Sequence, residues 1–264
     1  MLAAYGFGLF PLPAYREARV GEWRVVRQLP SLADGYASGT LVEGRRHVLY
    51  HGRTAWMSTG LMEQESHAYH VHQARGLVVV AGLGMGMYAY AASLKPEVER
   101  VVLVEREPAV VELMTRATRL GRWPGREKLA LLPADALGPD LAPGVAAATG
   151  GRRPDYLFAD IWPACPAPEA PAETAAMVRA LRPRAAGWWG QELSFGLWCR
   201  EEGRPPDEAA LRDYFVLVGV PAPVSPGYAA FCGDVVAVGL PEARRPGRVA
   251  SLRALWRRLL RRTG

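Results

Sequence analysis

Two apolar runs joined by a glycine-rich turn constrain the fold of this chain more than any other feature. The run Val78–Ala81 leads into Gly82-Leu83-Gly84-Met85-Gly86, and a second apolar run, Val101–Val104, ends at Glu105. Continuous apolar runs of this kind are typical of strands that are buried on both faces of a parallel sheet. The pattern predicts an open α/β sheet with a ligand site at its carboxyl edge.

The glycine spacing narrows the kind of ligand. A dinucleotide-binding turn needs a further glycine where the helix approaches the pyrophosphate, and this chain has Met87 there. The remaining G-x-G-x-G admits an adenosine-type cofactor without a pyrophosphate, such as S-adenosylmethionine. Glu105, 23 residues after Gly82, is placed to accept hydrogen bonds from both ribose hydroxyls. The backbone expected to border the cofactor belongs to Gly82, Leu83, Gly84 and Gly86.

Apolar runs and amphipathic stretches alternate along the middle of the chain, which indicates parallel strands with helical crossovers. Strands are predicted at 77–81, 101–105, 129–132, 155–159 and 185–191, with helices at 62–73, 85–94, 108–120 and 172–182. Two later segments, 214–220 and 230–239, are predicted to form an antiparallel edge of the same sheet. Residues 139–154, which are rich in Gly, Ala and Pro, are predicted to form a loop.

The chain divides into three predicted parts. Residues 1–72 form a small β-rich region, with short strands between 20 and 60 and a linking helix. Residues 73–240 form a Rossmann-like adenosyl-binding catalytic domain. We expect a cytoplasmic protein, because no apolar run is long enough to span a membrane and the three cysteines do not suggest a disulfide framework.

The third part, residues 241–264, holds the excess positive charge. The whole chain carries a formal net charge of +6, but residues 244–264 contain eight arginines and no acid, so residues 1–243 carry −2. Apolar residues recur every three or four positions over 249–262, which predicts a basic amphipathic helix. We expect it to dock on its own chain or on a sister subunit, and contact with nucleic acid or an anionic membrane is a less favoured alternative.

Two further acids follow predicted strands at the same edge of the sheet. Asp135, with Ala136, is placed to accept from the adenine amino group, and the alternative is that Asp135 caps the next helix. Asp160 follows the fourth strand and is expected to face the sulfonium and the acceptor. It acts there either as a base or only as a hydrogen-bond partner of the cofactor.

Several motifs in order resemble those of the spermidine synthase family, the aminopropyltransferase branch of the class I methyltransferase fold. The segment Glu65-Ser66-His67-Ala68-Tyr69-His70 is similar to the acid and Tyr-His or Tyr-Gln pair before that family's glycine loop. Gln191, at the end of the predicted fifth strand, matches a family glutamine in the same place, and residues 221–231 loosely resemble a later Pro-Thr-Tyr-Pro stretch. The resemblance covers about residues 40–240. It implies a seven-stranded catalytic domain after a β-rich N-terminal domain, and often a dimer or tetramer.

The chain departs from the family where the family binds its cationic substrates. Met85 replaces the aspartate of the glycine loop, and Trp162 stands immediately before Pro163 where the family has a second aspartate. Ser225 lies nearest to the position of the late tyrosine. Because burying a dication without carboxylates costs several kcal/mol per charge, these losses weaken the expectation of a diamine substrate.

The sequence therefore favours a methyl transfer from S-adenosylmethionine to a small-molecule acceptor. Asp160 would orient or deprotonate the acceptor, Tyr69 and His70 would line the site, and Trp162 and Gln191 would contact the substrate. No metal is expected, since no acid or cysteine completes a ligand set with Tyr69, His70 and His72. Two alternatives stay open: an aminopropyltransferase that uses decarboxylated S-adenosylmethionine, and a non-catalytic adenosyl-binding scaffold.

Overall fold

Antiparallel strands form the N-terminal region of the chain in a computed structural model, which describes residues 2–240. The strands are β1 (Ala18–Val20), β2 (Trp23–Gln28), β3 (Ser31–Asp34), β4 (Thr40–Glu43), β5 (Arg46–His51) and β6 (Thr54–Ser58). Strands β1, β2, β5 and β6 pair in that order as one sheet, and β3 and β4 form a separate hairpin. The short strands expected between residues 20 and 60 are confirmed.

A parallel sheet forms the centre of the molecule. Its strands are β7 (Gly76–Ala81), β8 (Val98–Val104), β9 (Leu129–Leu132), β10 (Tyr156–Ala159) and β11 (Ala185–Trp188). They lie in the order β11-β10-β7-β8-β9, and every neighbouring pair is parallel. The chain leaves the central strand β7 toward β8 on one side and later returns to β10 on the other. This reversal opens a crevice at the carboxyl ends of β7 and β10, where sheets of this kind bind ligands.

Eight α-helices connect or cover these strands within residues 2–240. They are α1 (Leu61–Gln73), α2 (Met87–Leu94), α3 (Pro108–Thr118), α4 (Leu141–Thr149), α5 (Ala170–Leu181), α6 (Gln191–Glu202), α7 (Glu208–Val218) and α8 (Pro226–Gly239). Helix α1 links the two sheets, and its middle is buried, including polar residues. Polar side chains in such a position need partners within the protein.

The prediction of seven strands is wrong, because the described chain places five strands in the parallel sheet. The segments 214–220 and 230–239 lie largely in α7 and α8. Each helix begins at a side-chain cap: Asp207 accepts from the Ala210 N–H at 2.8 Å, and Ser225 accepts from the Tyr228 N–H at 3.2 Å. Caps satisfy N–H groups that a helix start leaves free, and they here outweigh the β-propensity of the valines and aromatics.

Two smaller predictions also differ from the structure. The segment 139–154, predicted to be a loop, contains α4, which ends at Gly150 in the left-handed conformation that commonly stops a helix. The fifth strand ends at Trp188 instead of continuing to residue 191. Gln191 is therefore the first residue of a helix, α6, and not the end of a strand.

The predicted class, an α/β protein with a Rossmann-like parallel sheet and a β-rich N-terminal region, is confirmed apart from the number of strands. Within residues 2–240, no helix has both the length and the hydropathy required to cross a membrane. The predicted amphipathic helix at 249–262 lies outside the described residues.

Candidate functional site

A cavity of about 260 Å³ lies at the carboxyl edge of the parallel sheet, beneath the N-terminal antiparallel sheet. From the parallel sheet it is lined by residues that follow strands, and these are Gly82, Gly84, Glu105, Arg106, Glu107, Ala134, Asp135, Ala136, Asp160, Ile161 and Trp162. From the N-terminal sheet it is lined by Trp23, Leu49, His51, Trp56 and Met57. The strand ends on which the sequence placed its candidate acids therefore meet in one cavity.

The first glycine of the turn allows two strand ends to approach each other. Gly82 has a φ of +97°, and a Cβ there would lie 2.1 Å from the backbone oxygen of Asp160. A side chain would both strain this backbone and collide with β10. Gly82 thus holds the turn and Asp160 side by side at the sheet edge.

Side chains of the protein itself cover the other two glycines. A Cβ on Gly84 would lie 2.4 Å from the sulfur of Met57, and a Cβ on Gly86 would lie 2.6 Å from the Trp123 ring. The Met57 sulfur also accepts the Met85 N–H at 3.1 Å. The glycines are therefore needed for internal packing, a reason that differs from the bare ligand-contacting backbone that the sequence suggested. Gly82 and Gly84 line the cavity as well.

Glu105 is the carboxylate held most firmly beside the turn. One oxygen, Oε2, accepts the Leu83 N–H at 3.0 Å, and the other, Oε1, accepts the Glu107 N–H at 2.8 Å. Each carboxylate oxygen can accept more than one hydrogen bond, so both retain capacity for a ligand. Two backbone donors thus fix the orientation of an acceptor pair that faces the cavity. Leu83 takes part through this N–H, while its side chain is buried.

Asp135 and Ala136 line the cavity after β9, as the sequence predicts. The Asp135 side chain is about half exposed and accepts the Leu137 N–H at 2.9 Å. The Arg106 guanidinium lies 3.5 Å from its other oxygen. This local bond to Leu137 forms a turn. It is not the helix cap considered as the alternative to adenine binding, because the next helix, α4, begins at Leu141 with Asp140 at its N-cap position.

Asp160 is paired with a histidine that the sequence interpretation did not select. The Nε2 atom of His67 lies 3.0 Å from the Asp160 Oδ2 atom, and His67 Nδ1 lies 2.7 Å from the backbone oxygen of Glu63. A carbonyl oxygen only accepts hydrogen bonds, so Nδ1 must carry a hydrogen. The hydrogen bond between Nε2 and the Asp160 carboxylate therefore contains one proton, which lies between the two groups. The imidazole is 1% exposed and the Asp160 side chain 17% exposed.

The surroundings of His67 favour its charged form. Burial lowers the pKa of His67, but the hydrogen bond and the charge of Asp160, with the charge of Glu63, outweigh burial and leave the pKa raised. An imidazolium between these acids compensates the Asp160 carboxylate. The pair can therefore place a fixed, hydrogen-bonded carboxylate at the end of β10.

Glu63 is the residue of α1 that lines the cavity. It lies in the first turn of the helix, is 7% exposed, and accepts the Ser58 N–H at 3.3 Å through Oε1. Its Oε2 atom is buried and has no hydrogen-bond partner in the described residues. Burial, reinforced by Asp160 and opposed by His67, raises the pKa of Glu63 to about 7. Such a carboxyl can exchange a proton near neutral pH.

Tyr69 and His70 do not line the cavity. The Tyr69 hydroxyl donates to the Pro223 carbonyl at 2.6 Å, and its ring stacks on Tyr228 with 3.5 Å between centroids. His70 Nδ1 lies 2.8 Å from the Tyr156 hydroxyl, and burial, with the charge of His67, lowers the pKa of His70 well below its usual value. Both residues thus lie in the core behind the site, and the structure lends no support to a role in contact with substrate.

Gln191 is likewise buried outside the cavity, in a hydrogen-bonded network. Its Oε1 accepts the Trp188 N–H at 3.1 Å, and its amide donates to the Tyr228 hydroxyl. The Tyr228 and Tyr36 hydroxyls donate to the buried Glu192 carboxylate at 2.6 and 2.8 Å. These partners satisfy the network internally, and Gln191 is not among the residues that line the cavity, so its contact with substrate stays a prediction.

Tryptophans form much of the apolar wall. Trp162 lines the cavity as predicted, and its indole N–H donates to Glu173 at 2.7 Å. Trp189 also lines it and donates to the Ser66 hydroxyl at 2.9 Å. Trp23 and Trp56, from the N-terminal sheet, are in edge-to-face contact with 5.4 Å between centroids. Such walls accommodate flat or cationic groups.

Sequence reasoning missed Glu63 and His67, although a signal was present. They are four residues apart on a helix, a spacing that places both on one face. The motif comparison drew attention to Tyr69 and His70 instead, which lie on the part of α1 that packs in the core. Among residues 2–240, no group of three or more His, Cys, Asp or Glu side chains could hold a metal ion.

No protein-family model and no curated protein matches the chain. Among solved structures, it is similar to the Methanococcus jannaschii fibrillarin pre-rRNA processing protein, with 9% identity and a TM-score of 0.32 over 63% of this chain and 71% of that one. The strand order and the cavity define the class: an α/β protein with a five-stranded, Rossmann-like parallel sheet and a cavity at the carboxyl edge of that sheet.

Proposed function

We propose that this protein is an S-adenosylmethionine-dependent methyltransferase that acts on a small-molecule acceptor. The observation that carries the proposal is the position of Glu105, a carboxylate held by the Leu83 and Glu107 N–H groups at the cavity wall. It would accept the ribose hydroxyls, and Asp135 and Ala136 would border the adenine. The methionine part would extend past Gly82 toward Asp160.

The chemistry demands little of the protein, because the sulfonium methyl group is already activated. The site would act by aligning the acceptor, the methyl carbon and the sulfur, and by excluding water. Asp160, held by His67, would orient the acceptor. Trp162 and Trp189 would provide the apolar wall that keeps this region dry.

Aminopropyl transfer from decarboxylated S-adenosylmethionine is the second candidate, and Glu63 is the observation that favours it. The family aspartate of the glycine loop is Met85 in this chain, but Glu63 supplies another carboxylate to the same cavity. This carboxylate could receive the ammonium of the aminopropyl group. The two candidates differ in the cofactor that they require.

Calorimetric titration with the two cofactors tests the proposal. We expect S-adenosylmethionine and S-adenosylhomocysteine to bind, and Glu105→Gln to weaken both, whereas the exposed Glu112→Gln, in helix α3, should change neither. Tighter binding of the decarboxylated cofactor would support aminopropyl transfer instead. Binding of none of the three ligands would overturn the proposal and favour a non-catalytic scaffold.

The location of the protein, its oligomeric state and its arginine-rich segment complete the proposal. A cytoplasmic location and a homodimer or homotetramer would suit an enzyme of this kind. The arginine-rich segment 244–264 would then dock on the chain or on a sister subunit.

A further inference from the structure

We propose that the acceptor is an amine joined to a flat apolar body, and that Glu63 binds its ammonium group and takes its proton. The inference deepens the proposed function and rests on it. It begins from a polar atom that lacks a partner: Glu63 lines the cavity, and its Oε2 atom is buried and has no hydrogen-bond partner in the described residues.

The position of Glu63 suggests a purpose beyond helix capping. Its Oε1 atom accepts the N–H of Ser58, the last residue of β6, and a carboxylate in the first turn of α1 also interacts favourably with the helix dipole. That role leaves Oε2 free, and a buried carboxylate oxygen without a donor is costly. A ligand that brings a donor to Oε2 would remove this cost.

The other charges at this end of the cavity are already matched. The charged and titratable groups that act on Glu63 are His67, one turn later in α1, and Asp160 at the end of β10, and the Cys165 thiol lies in the loop beyond β10. His67 and Asp160 pair with each other at 3.0 Å. Glu63 is therefore the carboxylate that stays uncompensated, and a single positive charge on the ligand would match it.

The tryptophan wall indicates the body of the acceptor. Trp162 and Trp189 line the cavity with their indole N–H groups turned to Glu173 and Ser66, so their rings, and not their donors, are available to a ligand. Indole faces attract both flat apolar groups and cations. One carboxylate with an aromatic wall fits one ammonium on an aryl or similarly flat body, and fits an extended dication less well.

The transfer step balances with groups that the proposal names. The acceptor enters as an ammonium ion and gives one proton to the Glu63 carboxylate, which becomes a carboxylic acid. The freed nitrogen lone pair forms a bond to the methyl carbon, and the carbon–sulfur bond breaks with its electron pair staying on sulfur. The products are a methylated ammonium ion and neutral S-adenosylhomocysteine. The raised pKa of Glu63 makes it a better proton acceptor than an ordinary carboxylate.

Binding of phenethylamine and of its neutral counterpart phenethyl alcohol tests the inference. Dissociation constants are measured by ligand-observed NMR and calorimetry, with and without saturating S-adenosylhomocysteine. We expect the amine to bind at least about tenfold more tightly than the alcohol, as a charge-assisted hydrogen bond predicts. Equal binding of the two probes by the unaltered protein would overturn the inference without any variant.

Two variants then assign the preference to one carboxylate. Glu63→Gln should abolish the preference for the amine, while Glu112→Gln, which alters an exposed glutamate of α3 outside the cavity, should preserve it. Loss of the preference in Glu112→Gln, or its survival in Glu63→Gln, would contradict the inference. Because the arm without S-adenosylhomocysteine tests Glu63 by itself, failure of the cofactor to bind would count against the proposed function separately.

Discussion

His67 and Asp160 form a hydrogen-bonded pair, 3.0 Å apart, that joins α1 to the end of β10, where Asp160 lines the cavity. The second imidazole nitrogen is held by the Glu63 carbonyl at 2.7 Å, so the ring cannot rotate without losing both bonds. The pair orients the carboxylate that we place nearest the reacting atoms. It also joins the linking helix α1 to the parallel sheet.

Asp160→Asn should lower the free energy of unfolding more at pH 6 than at pH 9. The raised pKa of His67 means that the pair contributes fully below the pKa of an unfolded histidine, and its contribution is lost as pH rises through the folded value. We expect a cost of about 1–3 kcal/mol at pH 6, reduced from the fully buried case because Asp160 is partly exposed. Urea denaturation at the two pH values measures it.

The exposed Asp213, paired with Arg204 at 2.8 Å, provides the control. Asp213→Asn should cost less than about 1 kcal/mol at either pH. An equal cost of Asp160→Asn at pH 6 and pH 9 would contradict an imidazolium–carboxylate pair.

Glu63→Gln should make the protein more stable above neutral pH. Burial raises the pKa of Glu63 to about 7, so the stabilisation from the protonated carboxyl is complete below the unfolded pKa and is lost as pH rises through about 7. The neutral amide avoids this loss. The variant should therefore match the parent near pH 4 and exceed it at pH 8, by up to about 3 kcal/mol.

Thermal or urea unfolding across this pH range provides the measurement. The exposed Glu112→Gln should stay within about 0.5 kcal/mol of the parent throughout. A stability difference between Glu63→Gln and the parent that does not change with pH would show that Glu63 is not a buried, unmatched carboxyl.

Gly82→Ala should strongly destabilise the protein. The new Cβ would lie 2.1 Å from the Asp160 backbone oxygen, at a φ of +97°. We expect a loss of at least about 3 kcal/mol, because backbone must move as well as adopt a strained conformation. Gly150→Ala is the matched control, since Gly150 has a φ of +64° but nothing within 4 Å of its Cβ position.

Differential scanning calorimetry of both glycine variants separates collision from backbone strain. Gly150→Ala should cost only about 1–2 kcal/mol, the ordinary penalty for a left-handed alanine. Similar melting temperatures for the two variants would argue against close contact between the turn and the end of β10.

Glu105→Gln should reduce the affinity for S-adenosylhomocysteine by at least about tenfold. The amide keeps the size of the side chain, but it turns one acceptor into a donor that faces either the Leu83 or the Glu107 N–H. Calorimetry gives the affinity, and circular dichroism checks the fold. Unchanged affinity would remove Glu105 from the cofactor site.

The central sheet could be predicted from the sequence because strands that are buried on both faces of a parallel sheet consist of continuous apolar residues. The run ending at Ala81, the run ending at Val104 and the segment Leu129–Leu132 are strands as expected. The antiparallel edge predicted at 214–220 and 230–239 was wrong because α7 and α8 contain valines and aromatic residues, which also favour strands. Their caps, Asp207 and Ser225, were local signals of helix starts that could have decided between the two.

The site was predicted in the part that depends on topology. Carboxyl ends of parallel strands meet at one edge of the sheet, so the sequence alone predicted that Glu105, Asp135 and Asp160 lie close together. The sequence indicates that Glu63 and His67 share one face of a helix. It does not show that this face meets the edge of the sheet, because that depends on how α1 packs. Tyr69 and His70 occupy the same helix but lie on its core-facing part, and only tertiary structure distinguishes these faces.

A crystal structure with S-adenosylhomocysteine tests the central claim most directly. We predict density for the nucleoside in the cavity, with the ribose hydroxyls on the two Glu105 oxygens and the sulfur on the side of Asp160. Nucleoside density at another site, or a ribose that makes no contact with Glu105, would contradict the account.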